Sequence, residues 1–123
     1  MPRAIKITSG DVSVTAELND SRAAAAIAAK LPITAKAETW GDEIYFGLPF
    51  SAPSDAPQET VALGDLGYWP PGRAFCIFFG PTPMSRGDEI RPASAVTVVG
   101  RVTGDPRVFK RVRAGTGVTI EAV

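Results

Sequence analysis

The chain has 123 residues, 45% of them hydrophobic, which is enough for one core and too few residues for two ordinary domains. Lysine plus arginine and aspartate plus glutamate balance at 13 each, no apolar run approaches the ~20 residues of a membrane-spanning helix, and no basic reading motif is visible, so neither a membrane nor a nucleic acid is an expected partner. Histidine is absent and Cys76 is the single cysteine. That excludes histidine-based triads, histidine zinc sites, a thiolate cage and an internal disulfide, so no metal or other cofactor is expected, and a cytoplasmic location is.

Ile5 and Ile7, then Val12, Val14, Ala16 and Leu18, alternate with polar residues around Ser9-Gly10-Asp11, which predicts an opening hairpin. An alanine-rich stretch over residues 21–30, with Asn19 or Asp20 as its cap and Pro32 as its stop, predicts a helix. Residues 33–40 and 43–48 alternate again around Gly41-Asp42 as a second hairpin, with Ile44, Phe46 and Leu48 on its apolar face. Residues 51–60 hold prolines, no aromatic residue and no periodicity, the marks of an exposed loop.

Two further strands, 61–69 and 73–79, flank Pro70-Pro71-Gly72, and the second is apolar on both faces, as a strand covered on both sides must be. Val96, Val98 and Val102 are expected on one face of the next strand. Asp105-Pro106 predicts the start of an amphipathic helix over residues 106–113 carrying Val108, Phe109 and Val112, and Val118 and Ile120 mark a last strand. About eight short strands with two helices make the fold class mainly β, and a closed barrel is the arrangement that removes exposed sheet edges.

Chemistry-bearing residues are sparse. The pairs Asp42-Glu43 and Asp88-Glu89 lie beside glycine and are expected to be solvated turn residues. Arg101, Arg107, Lys110, Arg111 and Arg113 form a basic stripe, expected to be the wet face of the second helix. Aromatic residues gather in the middle of the chain, and Tyr45, Phe46, Tyr68, Trp69, Phe75 and Phe79 beside proline-rich turns are the candidate lining of an apolar groove for a peptide or a small molecule. Plain core packing is the alternative for the same residues. An enzyme built on Glu43, Asp65 or Arg73 is a third possibility, which requires one of them to sit in a cleft with a perturbed environment.

The stretch Pro71-Gly72-Arg73-Ala74-Phe75-Cys76-Ile77-Phe78-Phe79, followed by Arg86-Gly87-Asp88-Glu89-Ile90 and Val96-Thr97-Val98-Val99-Gly100-Arg101-Val102, resembles the cyclophilin family. With Gly64 to Gly72 and Phe78 to Pro83 added, the chain is similar to the small, uncharacterised prokaryotic cyclophilin-like proteins over nearly its whole length. The resemblance implies an eight-stranded barrel capped by two helices. It also implies that Ala74 and Cys76 stand where cyclophilins carry a glutamine and a pocket-lining phenylalanine, and that residues 45–50 lack the arginine expected to stabilise a twisted prolyl amide. Arg73 is the nearest candidate for a relocated cation. Efficient prolyl isomerase activity is therefore not expected, with a slow or divergent isomerase as the alternative.

Overall fold

The computed structural model describes residues 3–123, so Met1 and Pro2 lie outside the described residues. Strands β1 (Arg3–Ser9) and β2 (Val12–Leu18) form the opening hairpin. Its turn uses Gly10 at a positive φ, a conformation that costs glycine nothing. Helix α1 (Arg22–Ala28) follows, shorter than the alanine run suggests, because Lys30 and Leu31 already bond to the carbonyls three residues back, tightening the last turn ahead of Pro32.

The cap of α1 differs from expectation. Ser21, not Asn19 or Asp20, is the N-cap and accepts a hydrogen bond from the Ala24 amide, while Asn19 accepts from Ser21. The remaining free amides, those of Arg22 and Ala23, donate to the two carboxylate oxygens of Asp55, in the 51–60 loop. These bonds, the one from Arg22 foremost, hold the Asp55 carboxyl below its ordinary pKa. Asp55→Ala should cost about 1–2 kcal/mol, the usual value of a helix cap, with Asp55→Asn in between. Urea unfolding of the three proteins checks this, and an unchanged midpoint in the alanine variant would show that the loop does not hold the helix.

Strands β3 (Ile33–Lys36), β4 (Glu38–Thr39) and β5 (Glu43–Gly47) replace the continuous second hairpin. The first half of the 33–39 stretch pairs with β9 (Gly117–Ala122), the second half with β5, and the stretch bends between them at buried Ala37. Both backbone groups of Ala37 are satisfied at the bend, its amide by Thr116 and its carbonyl by Gly115. Strands β6 (Asp65–Trp69) and β7 (Ala74–Phe78) flank a 3-10 turn at Pro70–Gly72, and β8 (Thr97–Val102) pairs with β2 and β6.

The strand order is β3-β9-β1-β2-β8-β6-β7-β5-β4, every neighbour antiparallel. Because β3 and β4 are two halves of one bent stretch, the order returns on itself. The fold is a mainly β, nearly closed barrel with two short helices, and counting that stretch once leaves the eight expected strands.

Two details depart from the sequence reading. The second helix is a 3-10 helix, Pro106–Arg111, which together with the following residue buries Phe109 and Val112, three positions apart, the repeat of three residues per turn. In β8 a register shift opposite Leu66 and Gly67 inserts an extra residue, so Val96, Val99 and Val102 are buried and Val98 is half-exposed.

The main core fills the barrel with Ile5, Ile7, Leu18, Leu66, Ile77 and Ile120, and Phe46 stacks on Phe75 with ring centroids 5.4 Å apart. A second, smaller cluster of Ala74, Cys76, Phe78, Ile90 and Val96 lies on the other face of β7. The two-sided burial expected for this strand thus comes from the barrel interior on one side and from residues 80–96 on the other.

Candidate functional site

The covering segment is held by its own short-range polar contacts. Ser85 Oγ accepts from the Thr82 and Arg91 amides, the Thr82 hydroxyl donates to the Arg91 carbonyl, and Arg91 pairs with Glu89 at 2.6 Å. Single bridges from Val61 to Ile90 and from Gln58 to Val96 tie its later part to the preceding loop. Beyond this knot, Pro92 and Ala93 pass over the outer wall of the barrel and leave a cavity of about 150 Å³ beneath them.

Strand alternation decides what faces that cavity. Glu43 and Tyr45, two apart on β5, point outward, and Cys76 of β7, directly opposite Tyr45, lies at the floor. On the far side of Cys76 stands Gly67 of β6, where an added Cβ would come within 3.1 Å of the Val96 side chain. Trp69 forms another wall, with its Nε1 donating to Ser94 Oγ at 2.7 Å. Gly72 lets the indole lie close to the chain, since a Cβ there would fall 2.8 Å from the ring. Trp40 reaches in from the turn before β5, where its amide donates to the Glu43 carbonyl.

The one acid in this apolar setting is Glu43, which is 6% exposed. Among the described residues, its Oε1 is the one buried side-chain oxygen or nitrogen without a hydrogen-bond partner. Loss of hydration raises its pKa to about 7, an effect partly offset by a hydrogen bond from the Cys76 thiol. The thiol donates to the Ala74 carbonyl at 3.9 Å, a long contact, so its interaction with the carboxylate is shared. Burial first, and the Glu43 charge second, push the Cys76 thiol well above its ordinary pKa, so it is a neutral wall atom rather than a nucleophile.

Of the six aromatic candidates, Tyr45 and Trp69 line the cavity and are half-buried. Phe46, Phe75 and Phe79 belong to the barrel core, and Tyr68 is 1% exposed, with its hydroxyl accepting from the Ala52 amide. The same alternation that brings Tyr45 out turns Phe46 in, and it separates Trp69 from Tyr68. Arg73 is exposed, follows the Pro70–Gly72 turn in a left-handed conformation, and does not line the cavity. Asp65 sits in a separate shallow depression beside Arg101; burial raises its pKa, and the Ala62 amide donates to it.

Glu43 corrects the expectation of a solvated turn residue. Gly41 and Asp42 make the turn, whereas Glu43 is already the first residue of β5, paired with Phe78 and roofed by the covering segment. Asp42 meets Lys110 at 3.8 Å, and Asp88 is exposed. Trp40, Pro92, Ala93 and Val96 escape the sequence reading as cavity residues. The one available signal was the two-faced apolar character of β7, which requires a cover over the face that Glu43 and Tyr45 share.

A barrel with a small apolar cavity on its outer wall, beneath a folded-over segment, is the class of protein this geometry defines. The Cyclophilin-like family matches residues 3–121, and the chain belongs to that family. It is similar to the solution structure of a hypothetical protein from Archaeoglobus fulgidus, with a TM-score of 0.78 and 39% identity over 99% of this chain and 95% of that one. No curated protein matches it. Among the described residues, no helix is long and apolar enough to cross a membrane.

Proposed function

We propose that the chain is a binding domain that holds an apolar group of a peptide or small molecule in the cavity between Trp40, Tyr45 and Trp69, and that it does not efficiently catalyse prolyl isomerisation. The observation that carries this reading is a preformed cavity whose aromatic walls stay partly open to solvent. About 150 Å³ is the size of an apolar cavity that admits benzene. Large rings on short side chains offer contact area at little cost in conformational entropy, so such a site suits capture of a compact apolar group.

The charge in the cavity argues against isomerase chemistry. A twisted prolyl amide develops a lone pair on nitrogen that calls for a donor or a cation, and the wall provides an acid, Glu43, with Arg73 outside the lining. Lack of one preorganised donor costs ~3–4 kcal/mol of barrier lowering, at least a hundredfold in rate.

The chain has two tryptophans, and both line the cavity, so intrinsic fluorescence reports on it directly. Titration with short Xaa-Pro peptides and small apolar molecules is expected to shift the emission, with Trp69→Ala weakening the response, while a protease-coupled assay shows negligible acceleration of cis–trans exchange. Catalytic efficiency comparable to ordinary cyclophilins, lost in Arg73→Ala, would overturn the proposal.

A further inference from the structure

A buried carboxyl oxygen with no partner is an exception in folded proteins, where buried polar atoms are satisfied with few failures. Glu43 Oε1 is such an atom, on a side chain more than nine-tenths buried, and that side chain forms part of the wall of the cavity. Among the described residues, none pairs a cation with it. Lys110, of the 3-10 helix, is engaged with Asp42 of the turn, and Arg91, beside the roof, is engaged with Glu89. The titratable groups that share the cavity are the Tyr45 hydroxyl and the Cys76 thiol, which burial keeps neutral. No charged neighbour contributes to the titration of Glu43, which burial and the Cys76 thiol determine.

We infer that the cavity takes a small organic cation, an alkylated ammonium group, with the Glu43 carboxylate as its counter-ion and the rings of Trp40, Tyr45 and Trp69 as its cage. The inference rests on the reading of this cavity as a binding site. Electron-rich ring faces attract cations, and an aromatic cage is the usual receptor for alkylated ammonium ions. Apolar Pro92, Ala93 and Val96 complete the wall and keep the local dielectric low, which strengthens the charge pair. A metal ion fits poorly. Calcium takes six to eight oxygen ligands, and the cavity presents one carboxylate with no other acid in its lining. An alkylated ammonium needs no such shell.

The test compares choline with 3,3-dimethylbutan-1-ol, its uncharged carbon isostere, on the full chain by tryptophan fluorescence and calorimetry. At pH 8, choline is expected to bind at least tenfold more tightly than the alcohol. Between pH 8 and pH 6 its affinity is expected to fall about tenfold, because Glu43, titrating at about 7, passes from mostly ionised to mostly protonated. Calorimetry of the unaltered protein at pH 6.5 in two buffers of different ionisation enthalpy is expected to show proton release on choline binding and none with the alcohol. Glu43→Gln is expected to bring choline down to the level of the alcohol and to remove the pH dependence, and retained alcohol binding shows that the variant cavity is intact.

Equal affinities at pH 8, or choline binding without proton release, would overturn the inference. Binding of the alcohol alone overturns it while leaving the cavity a binding site. Silence of both tryptophans towards both probes overturns the inference, while the Xaa-Pro peptide titration decides the binding reading separately.

Discussion

Raising the pH from 4.5 to 7 is expected to destabilise the protein by about 3 kcal/mol through Glu43 alone, and Glu43→Gln is expected to abolish that loss. The group titrates at its ordinary 4.5 when unfolded and at about 7 when folded. Between those values the folded chain keeps a proton that the unfolded chain has released, so each step up in pH favours unfolding. The gap between 4.5 and about 7, at ~1.4 kcal/mol per pH unit, sets the size, reduced somewhat because the group is half-titrated at each end of the interval. Stability from this group is complete below pH 4.5, falls across the window and is level above pH 7. Asp65, also raised by burial, acts in the same direction, so the informative quantity is the difference between the native protein and the glutamine variant. Urea unfolding at pH 4.5, 5.5, 6.5 and 7.5 measures it; parallel curves for the two proteins would mean that the carboxyl is not buried in solution.

Gly100→Ala is expected to be the most damaging single-methyl change in the molecule. At that point β8 crosses so close to β2 that a Cβ would sit 2.0 Å from the Glu17 carbonyl oxygen and 3.0 Å from the Leu18 Cα. Both atoms are on the neighbouring strand's backbone, so no rotamer change relieves the clash. The sheet must part locally, giving up ladder hydrogen bonds and the packing behind them. A loss of at least about 3–4 kcal/mol is expected, a large share of the 5–15 kcal/mol that holds a typical domain together. Gly104→Ala is the matched control. Nothing lies within 4 Å of a Cβ there and the backbone is unstrained, so a change within about 0.5 kcal/mol is expected. Thermal unfolding of the pair tests the contrast, and equal midpoints would show that the two strands do not approach this closely.

Most strands were legible in the sequence because each has one face on the core, and period-two alternation records that directly. What the alternation does not record is which strand turns where. The bend at Ala37 has no glycine or proline to mark it, and the extra residue in β8 leaves a run of valines that looks regular. The cavity was harder still, because the apolar faces of β7 call for a cover but nothing in residues 80–96 says that they supply it. Without that roof, Tyr45 and Phe46, or Tyr68 and Trp69, are simply neighbouring aromatics. With it, they part to opposite sides of the wall. Glu43 shows the same limit most sharply: its residue type and its neighbours Gly41 and Asp42 say solvent, and only the cover says otherwise.

The bent stretch that closes the barrel also covers what would otherwise be two open sheet edges. The two outermost strands in the sheet order are its own halves, so β9 and β5 are shielded by seven residues and nothing else in the ladder. Whenever those residues peel away, two rows of unpaired amides and carbonyls become templates for another molecule. Lys36 and Glu38, both exposed beside the bend, place charges of opposite sign at that seam. Charged side chains at a sheet edge disfavour its pairing with another strand.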